Sequence, residues 1–207
     1  MINLKNESYL YNRNNKYKLT KMNRKYWLFG LLIVAAIVSR LIPHMHNFSP
    51  ILAISLFGAA YFQNKKVALV VPLAATFLSD VLLRQFVYPD YALFYEGWYF
   101  QYIAYLLIVI SGLGIFKKVN LGRIALGTLS GTILFFLVSN FGSWLALAMY
   151  PKTLSGLVSA YTAGIPFIQG TFLSTVLYSV VLFGAYRLYA RKFSVATSDI
   201  QGATISS

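Results

Sequence analysis

Asp80 is the single acidic residue inside an apolar run of this chain, three positions before that run ends. An ionised carboxylate in hydrocarbon costs about 2.5 to 3.5 kcal/mol on insertion scales, so it must face a polar cavity or a partner. Two roles fit: a ligand-facing or gate-fixing carboxylate, or a helix-end residue paired with Arg84 at i+4 or bonded to backbone of the preceding loop. Asn140 lies about 15 Å from the end of its own apolar run at the helical rise per residue, which is mid-membrane depth. With Ser143 at i+3 and Trp144 at i+4 it makes one polar and aromatic helix face, the spacing that lines a pocket between helices. The competing role is an interhelical hydrogen bond, common in bundles and worth about 0.6 kcal/mol. Thr171, Ser174 and Tyr178 offer a second such face, and Trp98, Tyr102 and Tyr105 a third beside Gln101.

His44 and His46 form an HxH in the stretch PHMHNFSP, from Pro43 to Pro50. Two imidazoles begin a metal site, but a site needs three or four ligands. The alternative is a folded plug stiffened by its prolines, with Asn47 or the histidines bonding backbone groups. No cofactor is expected: there is no cysteine, no P-loop, no HExxH and no GxSxG, which removes thiolate metals, Fe–S clusters and ATP binding through a P-loop. The chain therefore reads as a binding protein and not an enzyme. Two rival readings stay open, a membrane-embedded enzyme on a lipid or isoprenoid with Asp80 and His44 as acid and base, and a non-transporting membrane scaffold.

The elements that would position these residues are legible in the composition. Charged residues make up 11% of the 207 and hydrophobic residues 58%, where a soluble domain is about 25% charged. The apolar runs are Tyr26 to Ile42, Pro50 to Phe62, Val67 to Leu83, Trp98 to Phe116, Ile124 to Tyr150 and Thr171 to Ala190. An all-α, polytopic membrane protein with six spanning helices is the expected fold. The second run has only 13 residues, short of the roughly 20 that a span requires. Charge argues that it spans. With six spans and both termini cytoplasmic, 15 of the 18 Lys and Arg residues lie inside and only Arg40, Arg84 and Lys152 outside. Without the second span the split is nine and nine, which abolishes the positive-inside bias. The formal charge of +13 thus reports membrane orientation and not nucleic acid.

Residues 1–25 read as a disordered, basic cytoplasmic tail, residues 26–190 as the six-helix membrane domain and 191–207 as a cytoplasmic C-terminal tail. The composition break at Met22 makes it a second candidate translation start. Thr153 is placed to cap a short helix carrying Leu154, Leu157, Val158 and Tyr161, which Gly164 should end, leaving a helix lying over the outer mouth. Gly127 and Gly131 form GxxxG, and Ala35 and Ser39 a small-x-x-x-small pair, spacings that serve internal packing or docking of another membrane subunit.

The segments RLIPHMHNFSPILAISLFGAAYF (Arg40 to Phe62), PLAATFLSD (Pro72 to Asp80), SNFGSWL (Ser139 to Leu145) and MYPKTLSGLVSAYTAGIPF (Met149 to Phe167) carry a resemblance. They resemble an uncharacterised prokaryotic membrane family of transport proteins, similar to the substrate-binding S components of energy-coupling-factor vitamin transporters. Members tend to read PHPxNFTP where this chain has Met45 and His46 in PHMHNFSP. The resemblance implies an S-component-like bundle that captures a vitamin-like small molecule outside and hands it inward with a transmembrane scaffold subunit and ATPase subunits. The spacing and the resemblance together lead us to expect an outward pocket lined by Asp80, Asn140 and Trp144, covered by the first and fifth loops, with His44 and Asn47 of the first loop also contacting substrate. Docking of the scaffold falls to Ala35 and Ser39, where the S components commonly carry AxxxA.

Overall fold

The computed structural model describes residues 30–42, 45–90 and 92–205, with backbone alone from 192 onward. Six helices make up the described fold, and no strand occurs among the described residues. They are α1 (Gly30–Leu41), α2 (Ile51–Tyr61), α3 (Lys65–Phe86), α4 (Trp98–Ile115), α5 (Leu121–Ala146) and α6 (Leu154–Ile205). Four of them, α3 to α6, are long and apolar enough to cross a membrane. Their outward faces carry exposed Val70, Phe77, Ile103, Ile110, Leu129, Ile133, Leu177 and Val180. A bundle apolar both inside and outside has lipid as its solvent, so this is a membrane protein.

α4 and α5 run antiparallel, with Gly97 against Ala146 and Gly127 against Phe116, and so do α5 and α6, with Asn140 against Gly164 and Thr128 bonded to Ser179, which gives the bundle two unlike ends. At the turn end, short connections join α2 to α3 and α4 to α5. Asn64 caps α3 by accepting from Lys66 N at 3.0 Å, and Asn120 caps α5 by accepting from Arg123 N at 2.9 Å. The bases beside them close the preceding helices. Lys65 Nζ donates to Phe62 O at 3.0 Å, and the Arg123 guanidinium to Ile115 O at 2.6 Å. Each cation satisfies a carbonyl at or just past a helix C-terminus, where the helix dipole favours positive charge. At the loop end, Lys152 does the same for α5 by donating to Leu147 O at 2.9 Å.

The 13-residue apolar run becomes an 11-residue helix, about 16 Å long at the helical rise. Its first nine residues, Ile51 to Ala59, are all buried. The reason is its position: α2 packs against α3, α4, α5 and α6 and forms the centre of the core. A helix apolar on every side is a core helix, and one enclosed by protein need not reach both membrane faces as helix. Phe57 anchors it in an aromatic cluster, 5.0 Å from the Tyr61 ring and 5.5 Å from Phe183.

The expected separate helix over the outer mouth does not form. Thr153 does cap, its hydroxyl accepting from Gly156 N at 3.2 Å, but the helix that starts there runs on to Ile205. Gly164 does not stop it. A glycine ends a helix by turning left-handed, and among the described residues the one glycine that does so is Gly97, with φ of 80° at the start of α4. Gly164 instead stays helical and serves contact with α5. Helix also continues past residue 190, where the apolar run ends.

Candidate binding cavity

The loop-end halves of α5 and α6 border a cavity of about 300 Å³. From α5 come Phe135, Phe136, Ser139, Asn140 and Ser143; α6 supplies Gly164, Phe167 and Thr171, α4 supplies Gln101, and the connection before α2 supplies His46 and Asn47. A smaller lobe of about 150 Å³ is walled by Arg40, Phe48, Ser49, Leu52 and Tyr105. It shares Asn47, Gln101, Phe135 and Thr171 with the larger one, so the two lie side by side.

Asn140 stands in the larger lobe, on the face its spacing predicted, with Ser139 and Ser143 beside it. Its Nδ2 donates to Phe136 O at 2.8 Å. The Ser139 and Ser143 hydroxyls likewise donate back along the helix, to Phe135 O at 2.7 Å and Ser139 O at 3.1 Å. What these groups present to a ligand is therefore oxygen lone pairs and the amide's remaining N–H. Glycines set how closely the walls approach. A Cβ on Gly164 would overlap the Asn140 amide, and one on Gly170 would overlap the His46 carbonyl. Bare backbone at these two points lets α6 lie against Asn140 and lets the connection fold over the cavity.

Asn47 walls both lobes and has φ of 59°, the left-handed conformation that asparagine tolerates better than most residues. His46 packs its ring edge on Phe167 at 5.6 Å. His44 lies outside the described residues. Among the described residues no three His, Cys, Asp or Glu side chains are grouped to hold a metal ion.

Two of the expected pocket residues stand elsewhere. Trp144 is not among the cavity walls. It sits one turn nearer the helix end than Asn140, donates its indole N–H to Pro151 O at 2.9 Å, and ties down the connection to α6. Asp80 is also absent from the walls and has a partner that the i+4 spacing did not name. It pairs with Arg40 at 2.6 Å, with side chains only 14% and 8% exposed, while Arg84 is exposed. The same guanidinium donates to Thr76 O at 3.2 Å and to the Ser79 hydroxyl. Arg40 thus enters the site although only its loop-side position was read from sequence. A signal was available: it is the one base in an apolar run at the depth of the one acid.

The small-residue pairs divide. Gly127 and Gly131 are buried inside the bundle, where a Cβ would come within 2.8 Å of Phe116 and 3.0 Å of Leu52. Ala35 is exposed on α1, but Ser39 turns inward and shares a 2.5 Å hydrogen bond with the Tyr178 hydroxyl. Of the other polar faces, Thr171 and Tyr105 reach the cavity, whereas Trp98 and Tyr102 pack on each other at 5.3 Å.

An all-α membrane bundle with a polar and aromatic cavity at one end is the class that fold and site define. The chain belongs to a family of unknown function (DUF6580), whose model matches residues 20–197. No curated protein and no solved structure matches it significantly.

Proposed function

We propose that the protein is a membrane-embedded substrate-binding subunit for uptake of a vitamin-like small molecule, of the energy-coupling-factor S-component type. The cavity carries this reading. It lies among the connections of the loop end, is lined by amide, hydroxyl and aromatic groups, and does not extend to the turn-end half, where Gly127 and Gly131 pack closely on Phe116 and Leu52. Such a space holds one small molecule by orienting hydrogen bonds and aromatic contact. It supports capture from one side better than a through-pore.

In this reading the chain makes six spans with both termini in the cytoplasm, and the cavity mouth faces outward from the cell membrane. Lys65, Lys66, Lys117, Lys118 and Arg123 gather at the turn end, which the positive-inside rule assigns to the cytoplasm. Buried α2 counts as the second span by passing the chain from one end of the bundle to the other. The chain has no P-loop, so uphill uptake requires a transmembrane scaffold subunit and ATPase subunits as partners.

Native mass spectrometry of the protein, gently released from cells grown in vitamin-rich medium, tests the reading. A stoichiometric small molecule is expected on the wild type and strongly reduced on Asn140→Leu. A well-folded protein that carries no metabolite and takes up none when supplied with its energising subunits would sink it.

A further inference from the structure

The polar walls of the larger lobe have committed most of their hydrogens to their own helices. Ser139 donates its hydroxyl to Phe135 O at 2.7 Å, Ser143 to Ser139 O at 3.1 Å and Thr171 to Phe167 O at 3.3 Å. Each of these walls keeps lone pairs and has no hydrogen left to give. Asn140 is oriented by the same device. Its Nδ2 donates to Phe136 O, and a flipped amide would set two oxygens against each other, so the position of Oδ1 is fixed. That oxygen accepts no hydrogen bond within the protein. No buried polar side-chain atom among the described residues lacks a partner, so Oδ1 is not buried and keeps open surface in the cavity wall. Charge is missing as well: among the described residues, no Asp, Glu, Lys or Arg lines this lobe. Its flat walls are Phe135, Phe136 and Phe167, each steadied by a second ring, Tyr105 at 5.5 Å, Tyr161 at 5.7 Å and His46 at 5.6 Å.

Building on the binding-subunit reading, we infer that the larger lobe takes an uncharged nitrogen heterocycle bearing an exocyclic amino group, which donates to Asn140 Oδ1 and the neighbouring serine oxygens. An amino group brings two hydrogens to a wall of acceptors. A ring carbonyl at the same place would set its lone pairs against Ser139 and Ser143, whose hydrogens are engaged elsewhere. A carboxylate or phosphate meets the same wall with a full charge and finds no cation there. A cation finds acceptors but no counter-ion, in a chain of net charge +13, so its desolvation goes uncompensated. The remaining donors suit a ring nitrogen. Asn140 keeps one N–H, and Gln101, whose Oε1 is fixed by the Tyr95 hydroxyl at 2.7 Å and whose Nε2 donates to Tyr105 at 3.4 Å, keeps another. Braced aromatic walls favour a planar ring by offset or edge contact. A cavity of about 300 Å³ is at the lower end for ligand pockets, which fits one ring or two fused rings.

Isosteric pairs that exchange amino for oxo test this: adenine against hypoxanthine, cytosine against uracil, and 2-aminopyrimidine against 2-pyrimidinone. Each is added at millimolar concentration to the full-length protein in detergent at neutral pH, where both members are uncharged, and ligand-induced stabilisation is read from the unfolding temperature. At least one amino compound is expected to bind about five-fold tighter than its oxo partner, the worth of one net hydrogen bond. Asn140→Leu should abolish that preference. Ser139→Ala with Ser143→Ala, which removes two acceptors and puts a good helix former in their place, should cut it to about two-fold or less. Oxo members that stabilise as well as their amino partners would overturn the amino-heterocycle class while leaving the binding cavity standing. Protonated benzylamine stabilising better than every amino heterocycle would do so too, by showing that the lobe takes a cation. A preference that survives both variants, or no stabilisation by any amino compound, also overturns it. A metabolite found by native mass spectrometry to lack an amino-substituted ring would do the same and would leave the binding reading intact.

Discussion

The two ends of α5 are built on opposite terms. Toward the turn end, Gly127 and Gly131 admit Phe116 and Leu52 so closely that a Cβ would collide, and no space remains. Toward the loop end, Ser139, Asn140 and Ser143 occupy the same helix and border a cavity. One helix thus combines a half whose contacts hold the bundle with a half whose contacts are left for a ligand. The loop-end half stays folded through point attachments instead of dense packing: the Arg40–Asp80 pair, the Ser39–Tyr178 hydrogen bond, and Trp144 and Lys152 on the connection to α6.

Removing the strongest of those attachments tests the contrast most severely. Asp80→Ala strands a partly buried guanidinium and is expected to cost about 3–5 kcal/mol, the usual range when one partner of a buried pair is deleted. Equilibrium unfolding in detergent micelles measures it, and a loss below 1 kcal/mol on the order expected of a surface pair would show that the loop end does not depend on it. Gly127→Leu overpacks the turn end at Phe116 and should cost about 1–3 kcal/mol in the same assay. Its effect on ligand occupancy should be small, because nothing near it reaches the cavity.

The cavity walls should behave the other way round. Asn140→Leu deletes a helix-backbone hydrogen bond and is expected to change stability by only about 0.6 kcal/mol, typical of polar contacts in membrane bundles. Bound metabolite should fall sharply in the same preparation, as seen by native mass spectrometry. Asn47→Gly is the finest probe. Glycine adopts the left-handed backbone of this position readily, so stability should move by a few tenths of a kcal/mol at most, while an amide shared by both lobes is lost. Occupancy unchanged by both variants would break the division between a packed end and a binding end.

Much of this was written in local signals. Low charge and long apolar runs specify helices in lipid, because hydrocarbon admits only backbone that satisfies itself. The start signal at Thr153 depends on a side chain reaching its own helix, and it does cap. The polar face through Asn140 follows from 3.6-residue periodicity alone. Where two outcomes differ by what lies across from a residue, local pattern is silent. Gly164 ends a helix or packs one according to the neighbour it meets, and here the neighbour is Asn140. Trp144 shares the side of α5 that carries Asn140, but one turn farther along the adjacent group is the Pro151 carbonyl and not a cavity.

The sequence by itself determined the solvent, the helices and the polar face of α5, since each is a property of neighbours along the chain. Tertiary structure alone decided that α2 is the enclosed centre, that Asp80 meets Arg40 rather than Arg84, and that Ser39 turns to Tyr178. Those outcomes join residues 40 or more positions apart. An apolar run carries no mark of whether protein or lipid will surround it, and a lone buried charge does not name its counter-ion. Only the packed arrangement of α1, α3 and α6 brings these partners within bonding distance.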